Sequence, residues 1–180
     1  MNSFDLFRLS QSETPLLSQL KELALLSEAA FYAPGHKKGQ GISSLLANVL
    51  GTDVFKADLP ELPELDNLFV PSGVIQKAQM LAAEAFGAKK TWFLVNGSTC
   101  GVISSILATC REGDKIILPR NSHLSVISGL ILSGAIPIFV EPEYNLERDL
   151  LYSVTPEAIK KTLQQHPETK VVMVVYPTYH

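Results

Sequence analysis

The sequence has few cysteines, little excess charge and no long apolar run, and each shortage excludes a class of protein. Cys100 and Cys110 lie ten residues apart, which is neither a CxxC pair nor a metal-ligand spacing. We interpret both as buried thiols and predict no metal site. The net charge is −3 and the basic residues are scattered apart from short pairs, so nucleic-acid binding is not expected.

The longest strongly apolar stretch, residues 126–140, is interrupted by serine, glycine and proline and is too short to span a bilayer. The N-terminus also lacks the pattern of a secretory signal, because Asp5 precedes the first basic residue, Arg8, and no uninterrupted apolar segment follows. Hydrophobic residues make up 46% of the 180, which is enough to bury a core and excludes disorder. We therefore expect a folded cytoplasmic protein without a membrane partner.

The first 70 residues predict helices joined by irregular segments. Apolar residues at three- and four-residue steps predict an amphipathic helix over residues 14–30, with Pro15 at a first helical position. A glycine-rich loop over 33–41 precedes a short helix over 43–50, which Gly51 closes. The segment 53–68 is predicted to be an extended loop because two prolines interrupt it. Its acidic residues are interpreted as a solvated face: Asp58, Glu61, Glu64 and Asp66.

From Pro71 onward helices and strands alternate along the chain. A helix ending at Gly87 is predicted to have an apolar face made of Val74, Ala78, Leu81, Ala82 and Ala85. Strands are predicted over 91–95, 115–118, 136–140 and 170–176. Helices are predicted over 98–110, 123–133 and 155–165, the last with Thr155 as its N-cap, and a loop is predicted over 141–145. This alternation predicts an α/β fold in three layers, with a mainly parallel sheet covered by helices on both faces.

The last predicted strand runs nearly to the end of the sequence. Its apolar residues, such as Val174, are typical of a strand that is covered on both faces. Domains seldom end in such a strand. We therefore expect the natural polypeptide to continue past His180, so that the domain is truncated at its C-terminus.

Ligands of parallel sheets gather beyond the carboxyl ends of the strands, and three such ends are present: residues 96–99, 119–123 and 177–180. In the first, Gly97 and Ser98 allow a tight turn from strand to helix. The backbone N–H groups at that helix N-terminus, with the hydroxyls of Ser98 and Thr99, form an arrangement that binds phosphate. The alternative is that Ser98 or Thr99 only caps the helix.

Two histidines are further candidates for a site. His123 occupies the equivalent place after the next strand, where its ring could stack on a flat ligand whose phosphate lies at Ser98 and Thr99. The alternative is a cap or a surface residue. His36 lies among glycines and lysines that are equally typical of a solvated loop. Cys100 as a nucleophile activated by His123 is disfavoured, since it lies inside an apolar helix.

Taken in order, five segments of the chain resemble the N-terminal half of the bacterial-type ornithine/lysine/arginine decarboxylases. They are Phe-Tyr-Ala-Pro-Gly-His-Lys-Lys-Gly (31–39), Asp-Leu-Pro-Glu-Leu-Pro-Glu-Leu-Asp (58–66), Asn-Gly-Ser-Thr (96–99), Pro-Arg-Asn-Ser-His (119–123) and Tyr-Pro-Thr-Tyr (176–179). The resemblance implies the aspartate-aminotransferase-like fold, which is fold type I of the pyridoxal-phosphate enzymes. It also implies two domains, an N-terminal helix and active-site arm over 1–70 and the first part of the cofactor-binding large domain over 71–180.

The resemblance further implies a function and a set of site residues. Gly97, Ser98 and Thr99 would hold the phosphate of pyridoxal 5'-phosphate, and His123 would stack on its ring. The reaction would be α-decarboxylation of a basic amino acid (lysine, ornithine or arginine) as the small-molecule substrate. Release of CO₂ would give a polyamine or its precursor, and the full-length enzyme would be a homo-oligomer. Leu124 stands where the family commonly has Lys, and Cys100 stands where a small Ala is usual.

The catalytic residues are not among those matched. The family's Schiff-base Lys and the Asp that pairs with the ring nitrogen lie beyond the matched region, so the 180-residue chain alone is expected to be inactive. Two alternatives to a decarboxylase remain open. One is a pyridoxal-phosphate aminotransferase or lyase of the same fold, and the other is a non-catalytic truncated remnant.

Overall fold

The computed structural model describes residues 9–177 and divides the chain into two compact units, which meet in the sequence at Phe93 and Leu94. The division at residue 70 that the resemblance implies concerns domains of the whole enzyme and stays a prediction. Residues 1–8 and 178–180 lie outside the described residues, and with them the predictions that depend on Asp5, on Arg8 and on the end of the segment 177–180.

The first unit contains four helices: α1 (Pro15–Leu25), α2 (Ser44–Leu50), α3 (Asp53–Lys56) and α4 (Val74–Ala85). A 3₁₀ turn lies at Pro63–Leu65. The helix predicted over 14–30 is confirmed but is shorter, because its last carbonyl groups are bonded from outside. Lys38 Nζ donates to the carbonyl oxygens of Leu23 (2.8 Å) and Leu26 (2.6 Å), which places a cation at the negative end of the helix dipole.

The acidic segment differs most from its prediction. It is not one extended loop, since it includes α3 and the 3₁₀ turn. Nor is Asp66 solvated, because only 8% of its surface is exposed. Its carboxylate accepts hydrogen bonds from the backbone N–H groups of Asn67, Ser72, Gly73, Ile75 and Gln76. Asp66 therefore caps α4 from a position seven residues before its N-cap, Gly73.

The ionisation of Asp66 follows from these contacts. Burial of the carboxylate raises its pKa, but the hydrogen bonds from the N–H groups of Ser72, Asn67, Gly73 and Gln76 outweigh burial and lower the pKa to about 2. The charged form is thus the one that organises the start of α4.

The buried face of α4 is also shifted from the predicted one. The buried residues are Ile75, Gln79, Leu81 and Ala83, whereas Ala85 is exposed. The prediction counted apolar residues and passed over Gln79, which lies one helical turn from both Ile75 and Ala83. Because the buried face of α4 includes this polar residue, a search for apolar periodicity does not recognise that face.

The second unit is an α/β structure. Its helices are α5 (Gly97–Thr109), α6 (Leu124–Ser133) and α7 (Pro156–Gln165). Its strands are β1 (Lys115–Pro119), β2 (Ile136–Val140), β3 (Tyr144–Asn145), β4 (Leu150–Leu151) and β5 (Val171–Val172). Three strands form a parallel sheet in the order β2-β1-β5, in which Ile116 pairs with both Pro137 and Val171. The predicted parallel sheet is confirmed.

Alternation along β1 explains the three layers. Ile116 and Leu118 pack on one face of the sheet with Ile106 of α5 and Val126 of α6. Ile117 points to the other face, where the helical cover comes from α7 through Ala158 and Ile159. Because strand residues alternate between faces, a central strand made only of apolar residues needs helices on both sides.

Two predicted strands are changed in the structure. The strand predicted over 91–95 is wrong, since no strand among residues 9–177 pairs with it and Trp92 and Val95 stay exposed. A strand exists only through hydrogen bonds to a neighbour, whatever its own propensity. The strand predicted over 170–176 forms only near its start, where Lys170 N donates to Lys115 O (2.9 Å) and Met173 N to Ile117 O (2.8 Å).

The remaining elements lie close to their predicted bounds. Thr155 Oγ1 accepts the N–H of Ala158 at 3.1 Å, which confirms Thr155 as the N-cap of α7. The segment 141–145, predicted to be a loop, contributes β3 to a small antiparallel hairpin with β4. No helix in the described range 9–177 has the length and apolar composition to cross a membrane.

Candidate functional site

In the second unit, the N-terminus of α5 has no capping side chain, whereas the N-terminus of α6 is capped by a histidine. Asn96 is the N-cap of α5, and Gly97 has a φ of 62°, a left-handed conformation that glycine adopts without strain. α6 follows β1 after a connection of four residues, 120–123, and its N-cap is the last of them, His123. The β1–α6 connection therefore places His123 just beyond the carboxyl end of the central strand.

One cavity of about 390 Å³ joins these helix N-termini. All four residues predicted for the site line it together: Gly97, Ser98, Thr99 and His123. The rest of its wall comes from Asn96, Val102, Ser125, Val126, Met173 and Val175. The structure thus brings the first two predicted strand ends into one pocket, with residues that follow β5 as a third wall.

The start of α5 is suited to hold an anion. Within residues 9–177, no side chain caps its first turn, and no hydrogen bond is made to the backbone N–H groups of Ser98 and Thr99. In α2, α6 and α7, by contrast, the N-cap side chain accepts an N–H of the first turn. Ser98 and Thr99 are exposed, so their hydroxyls are available too. These donors have the chemistry that a phosphate requires.

His123 is held at the other side of the cavity by its own helix. Its Nδ1 accepts the backbone N–H of Ser125 at 3.1 Å and lies 2.9 Å from the Ser125 hydroxyl oxygen. His123 is therefore an N-cap, as the alternative interpretation proposed, and at the same time a residue of the cavity wall. Capping uses Nδ1 and leaves the faces of the ring free for a flat ligand.

His36 lies in the first unit and has a different set of partners. Its Nε2 is 3.1 Å from Asp58 Oδ2, its Nδ1 accepts the N–H of Gly39 at 3.2 Å, and its ring meets Phe55 edge-on. Lys37 Nζ donates to the carbonyl oxygen of Tyr32 at 2.8 Å. The loop is therefore organised by its own side chains, which corrects the interpretation of a merely solvated loop.

The two cysteines have different environments. Cys110 is buried in the core between α5 and the sheet, as predicted, whereas Cys100 is only partly buried, which corrects that part of the prediction. Cys100 Sγ lies 3.9 Å from Ser104 Oγ within α5 and does not line the cavity. This placement agrees with the view that Cys100 is not a nucleophile activated by His123.

Sequence reasoning missed Ser125, which is 3% exposed and lies in the cavity wall. Helix geometry offered a signal, because an N-cap side chain accepts the N–H of the residue two or three positions later. Val102 and Met173 were also missed. Their contribution depends on tertiary packing rather than on any local pattern.

Comparisons with known proteins agree on one family. The family model described as "Orn/Lys/Arg decarboxylase, major domain" matches residues 14–180. The arginine decarboxylase of Bacillus subtilis (strain 168) is 42% identical over 171 residues, which cover 95% of this chain and 35% of that protein. This chain therefore spans about a third of the length of such curated relatives.

Solved structures show the same fold. A lysine decarboxylase of Francisella novicida matches with a TM-score of 0.77 and 24% identity, covering 92% of this chain and 25% of that one. The constitutive lysine decarboxylase of Escherichia coli matches with a TM-score of 0.76 and 20% identity, covering 93% of this chain and 25% of that one.

Proposed function

Because the chain belongs to the Orn/Lys/Arg decarboxylase family, within the major domain, we propose that the protein acts as a pyridoxal-phosphate-dependent decarboxylase of a basic amino acid. The observation that carries this proposal is the cavity in which Gly97, Ser98, Thr99 and His123 meet. The names of the curated relatives, arginine, ornithine and lysine decarboxylases, support arginine, lysine or ornithine as the substrate class. A cytoplasmic homo-oligomer is part of the same proposal.

The cavity fits the cofactor at both of its ends. We place the phosphate at the start of α5, where the N–H groups and hydroxyls of Ser98 and Thr99 donate to it and the helix dipole favours its negative charge. The residues that line the cavity contain no carboxylate that would repel a phosphate. We place the aromatic ring against His123, whose orientation the cap to Ser125 fixes.

The residues of this chain then bind and orient, while the cofactor supplies the electronic chemistry. When bound, pyridoxal phosphate provides an electron-withdrawing ring that takes up the electron pair left behind as CO₂ departs. Ser98 and Thr99 anchor one end of the site and His123 holds a flat surface on the other. Val102, Val126 and Met173 add apolar side chains to the lining of the same cavity.

The phosphate assignment is tested by removing both hydroxyls. In a full-length enzyme that carries this segment, we expect the Ser98→Ala/Thr99→Ala variant to bind pyridoxal phosphate at least about ten-fold more weakly, since a hydrogen bond to a charged group contributes about 1.5–3 kcal/mol. Affinity for pyridoxal, which lacks the phosphate, should stay unchanged. Calorimetric titration with both compounds makes the comparison.

The matched control is Ser104→Ala, which removes an exposed hydroxyl from the same helix outside the cavity. Its affinity for pyridoxal phosphate should equal that of the unaltered protein. If the double variant also keeps full affinity, Ser98 and Thr99 do no more than begin the helix.

The stacking role of His123 has its own test. In a full-length enzyme that carries this segment, the His123→Ala variant should shift the absorbance of bound pyridoxal phosphate and slow decarboxylation, because the flat surface against the ring is lost. His166→Ala, at the C-cap of α7, is the control and should change neither property. An unaltered spectrum together with an unaltered rate in His123→Ala would leave His123 as a helix cap only.

A further inference from the structure

The hydroxyl of Ser125 is directed at one atom of His123. Ser125 is the second residue of α6, is 3% exposed and contributes to the wall of the cavity. The hydroxyl oxygen of Ser125 lies 2.9 Å from His123 Nδ1, and the backbone N–H of Ser125 donates to the same nitrogen at 3.1 Å. Among residues 9–177 the hydroxyl has no other hydrogen-bond partner, so this contact alone satisfies it.

These two contacts fix the protonation state of the ring. A backbone N–H can only donate, so Nδ1 must be an acceptor and carries no proton. The hydroxyl then donates to the same lone pair, in a bond shared with the N–H. The imidazole is neutral with its proton on Nε2, and a 180° flip of the ring would replace the accepting nitrogen by a carbon.

We infer that Ser125 is a positioning residue that holds His123 in one tautomer and one ring plane for the bound cofactor. A comparison with phenylalanine shows what the ring nitrogen adds. Either ring offers a flat surface, but only histidine accepts two bonds that stop its rotation. The orientation of the ring is a property of the protein alone, while its benefit to cofactor binding rests on the proposed function.

The alternative is that Ser125 contributes only its backbone N–H to an ordinary helix cap. The N–H is present whatever the side chain at 125, so the cap itself survives removal of the hydroxyl. The two interpretations therefore differ in what the hydroxyl adds, and a substitution that keeps the backbone separates them.

The test compares Ser125→Ala, which removes the hydroxyl, with Ser125→Thr, which restores it. Ser128→Ala is the control, because Ser128 is only partly buried on α6, lies outside the cavity, and donates its hydroxyl to the Leu124 carbonyl oxygen. The ¹⁵N resonances of the His123 ring are measured without cofactor, and the affinity for pyridoxal phosphate is then measured for each variant.

In the unaltered protein we expect Nδ1 to resonate as an unprotonated nitrogen and Nε2 as a protonated one. Ser125→Ala should move the Nδ1 resonance and weaken pyridoxal-phosphate binding about five-fold, the effect of one lost hydrogen bond, while Ser125→Thr restores both and Ser128→Ala changes neither. A protonated Nδ1, or ring resonances that Ser125→Ala leaves in place, would overturn the inference. Failure of the unaltered protein to bind the cofactor would count against the proposed function, and the ring resonances would still decide the role of Ser125.

Discussion

Asp66 organises the backbone at the start of α4 in the first unit. Its carboxylate accepts five N–H groups, which connect the chain before α4 to the first turn of that helix. It has a φ of 72°, a left-handed conformation that costs a non-glycine residue of the order of 1–3 kcal/mol. The bonds to its charged side chain offset that strain.

Replacing Asp66 with Asn should therefore lower the free energy of unfolding by about 2 kcal/mol at neutral pH, because the amide nitrogen cannot accept the N–H groups that Oδ2 accepts. Urea unfolding followed by circular dichroism measures the change. Glu64→Gln is the control, since Glu64 is exposed on the neighbouring 3₁₀ turn. Equal stability of the Asn variant and the unaltered chain would contradict the assigned role.

The lowered pKa of Asp66 makes a separate prediction about pH. A carboxylate whose folded-state pKa is about 2, below its ordinary value of 3.8, contributes stability that is complete above the ordinary value and is lost as pH falls toward 2. The free energy of unfolding should thus fall between about pH 4 and pH 2, and less steeply in Asp66→Asn. Parallel curves for the two proteins would show that Asp66 does not titrate with folding.

At the scale of elements, the contact between α5 and α6 covers one face of the sheet and positions the two walls of the cavity that these helices form. The two helices meet where Gly129 of α6 lies against Ile106 of α5. A Cβ at Gly129 would lie 2.7 Å from Ile106 Cδ1 and 3.2 Å from Ile106 Cβ. The absence of a side chain at 129 therefore allows this close approach.

A methyl group inserted at residue 129 forces the helices apart, at a cost of about 1–3 kcal/mol. Because Ala gains about 1 kcal/mol over Gly in helix propensity, Gly129→Ala should lower the free energy of unfolding by up to about 2 kcal/mol. Adding Ile106→Val, which removes the clashing Cδ1, should recover part of the loss. Thermal unfolding of the two variants beside Ser128→Ala gives the comparison, and a Gly129→Ala protein more stable than the original would refute the packing argument.

The helices and strands show which features could be predicted from the sequence alone. Local chemistry predicted the N-cap at Thr155, the end of α2 at Gly51 and the apolar central strand, because each depends on a few neighbouring residues. It failed at residues 91–95, where strand formation needs a partner strand that propensity cannot supply. It failed again at Asp66, whose hydrogen-bond donors are backbone N–H groups up to ten residues away.

In the candidate site, too, some residues could be predicted from the sequence and others depend on tertiary structure. The sequence predicted that Ser98, Thr99 and His123 lie close together, and they line one cavity, although the strand over 91–95 on which part of that prediction depended does not form. Ser125 and Met173 could not be predicted in the same way. The first is recognised only once the cap geometry is known, and the second only once β5 is paired with β1.

At the scale of the whole molecule, the cavity separates cofactor binding from substrate choice. Among the described residues, none that lines the cavity is a carboxylate, the usual partner for the cationic end of a basic amino acid. Under the proposed function, we therefore expect selection among arginine, lysine and ornithine to use groups outside this cavity. Since the chain spans about a third of the length of its curated relatives, the activity itself is best measured in a complete enzyme.

The most direct measurement uses a hybrid in which residues 14–180 replace the matching segment of the Bacillus subtilis arginine decarboxylase. Its folding is verified by cooperative unfolding and its cofactor binding by absorbance, and CO₂ release is then measured from carboxyl-labelled arginine, lysine and ornithine. The account predicts release from at least one of the three that depends on pyridoxal phosphate and falls in Ser98→Ala/Thr99→Ala. A folded hybrid that binds pyridoxal phosphate but releases CO₂ from none of them would contradict it.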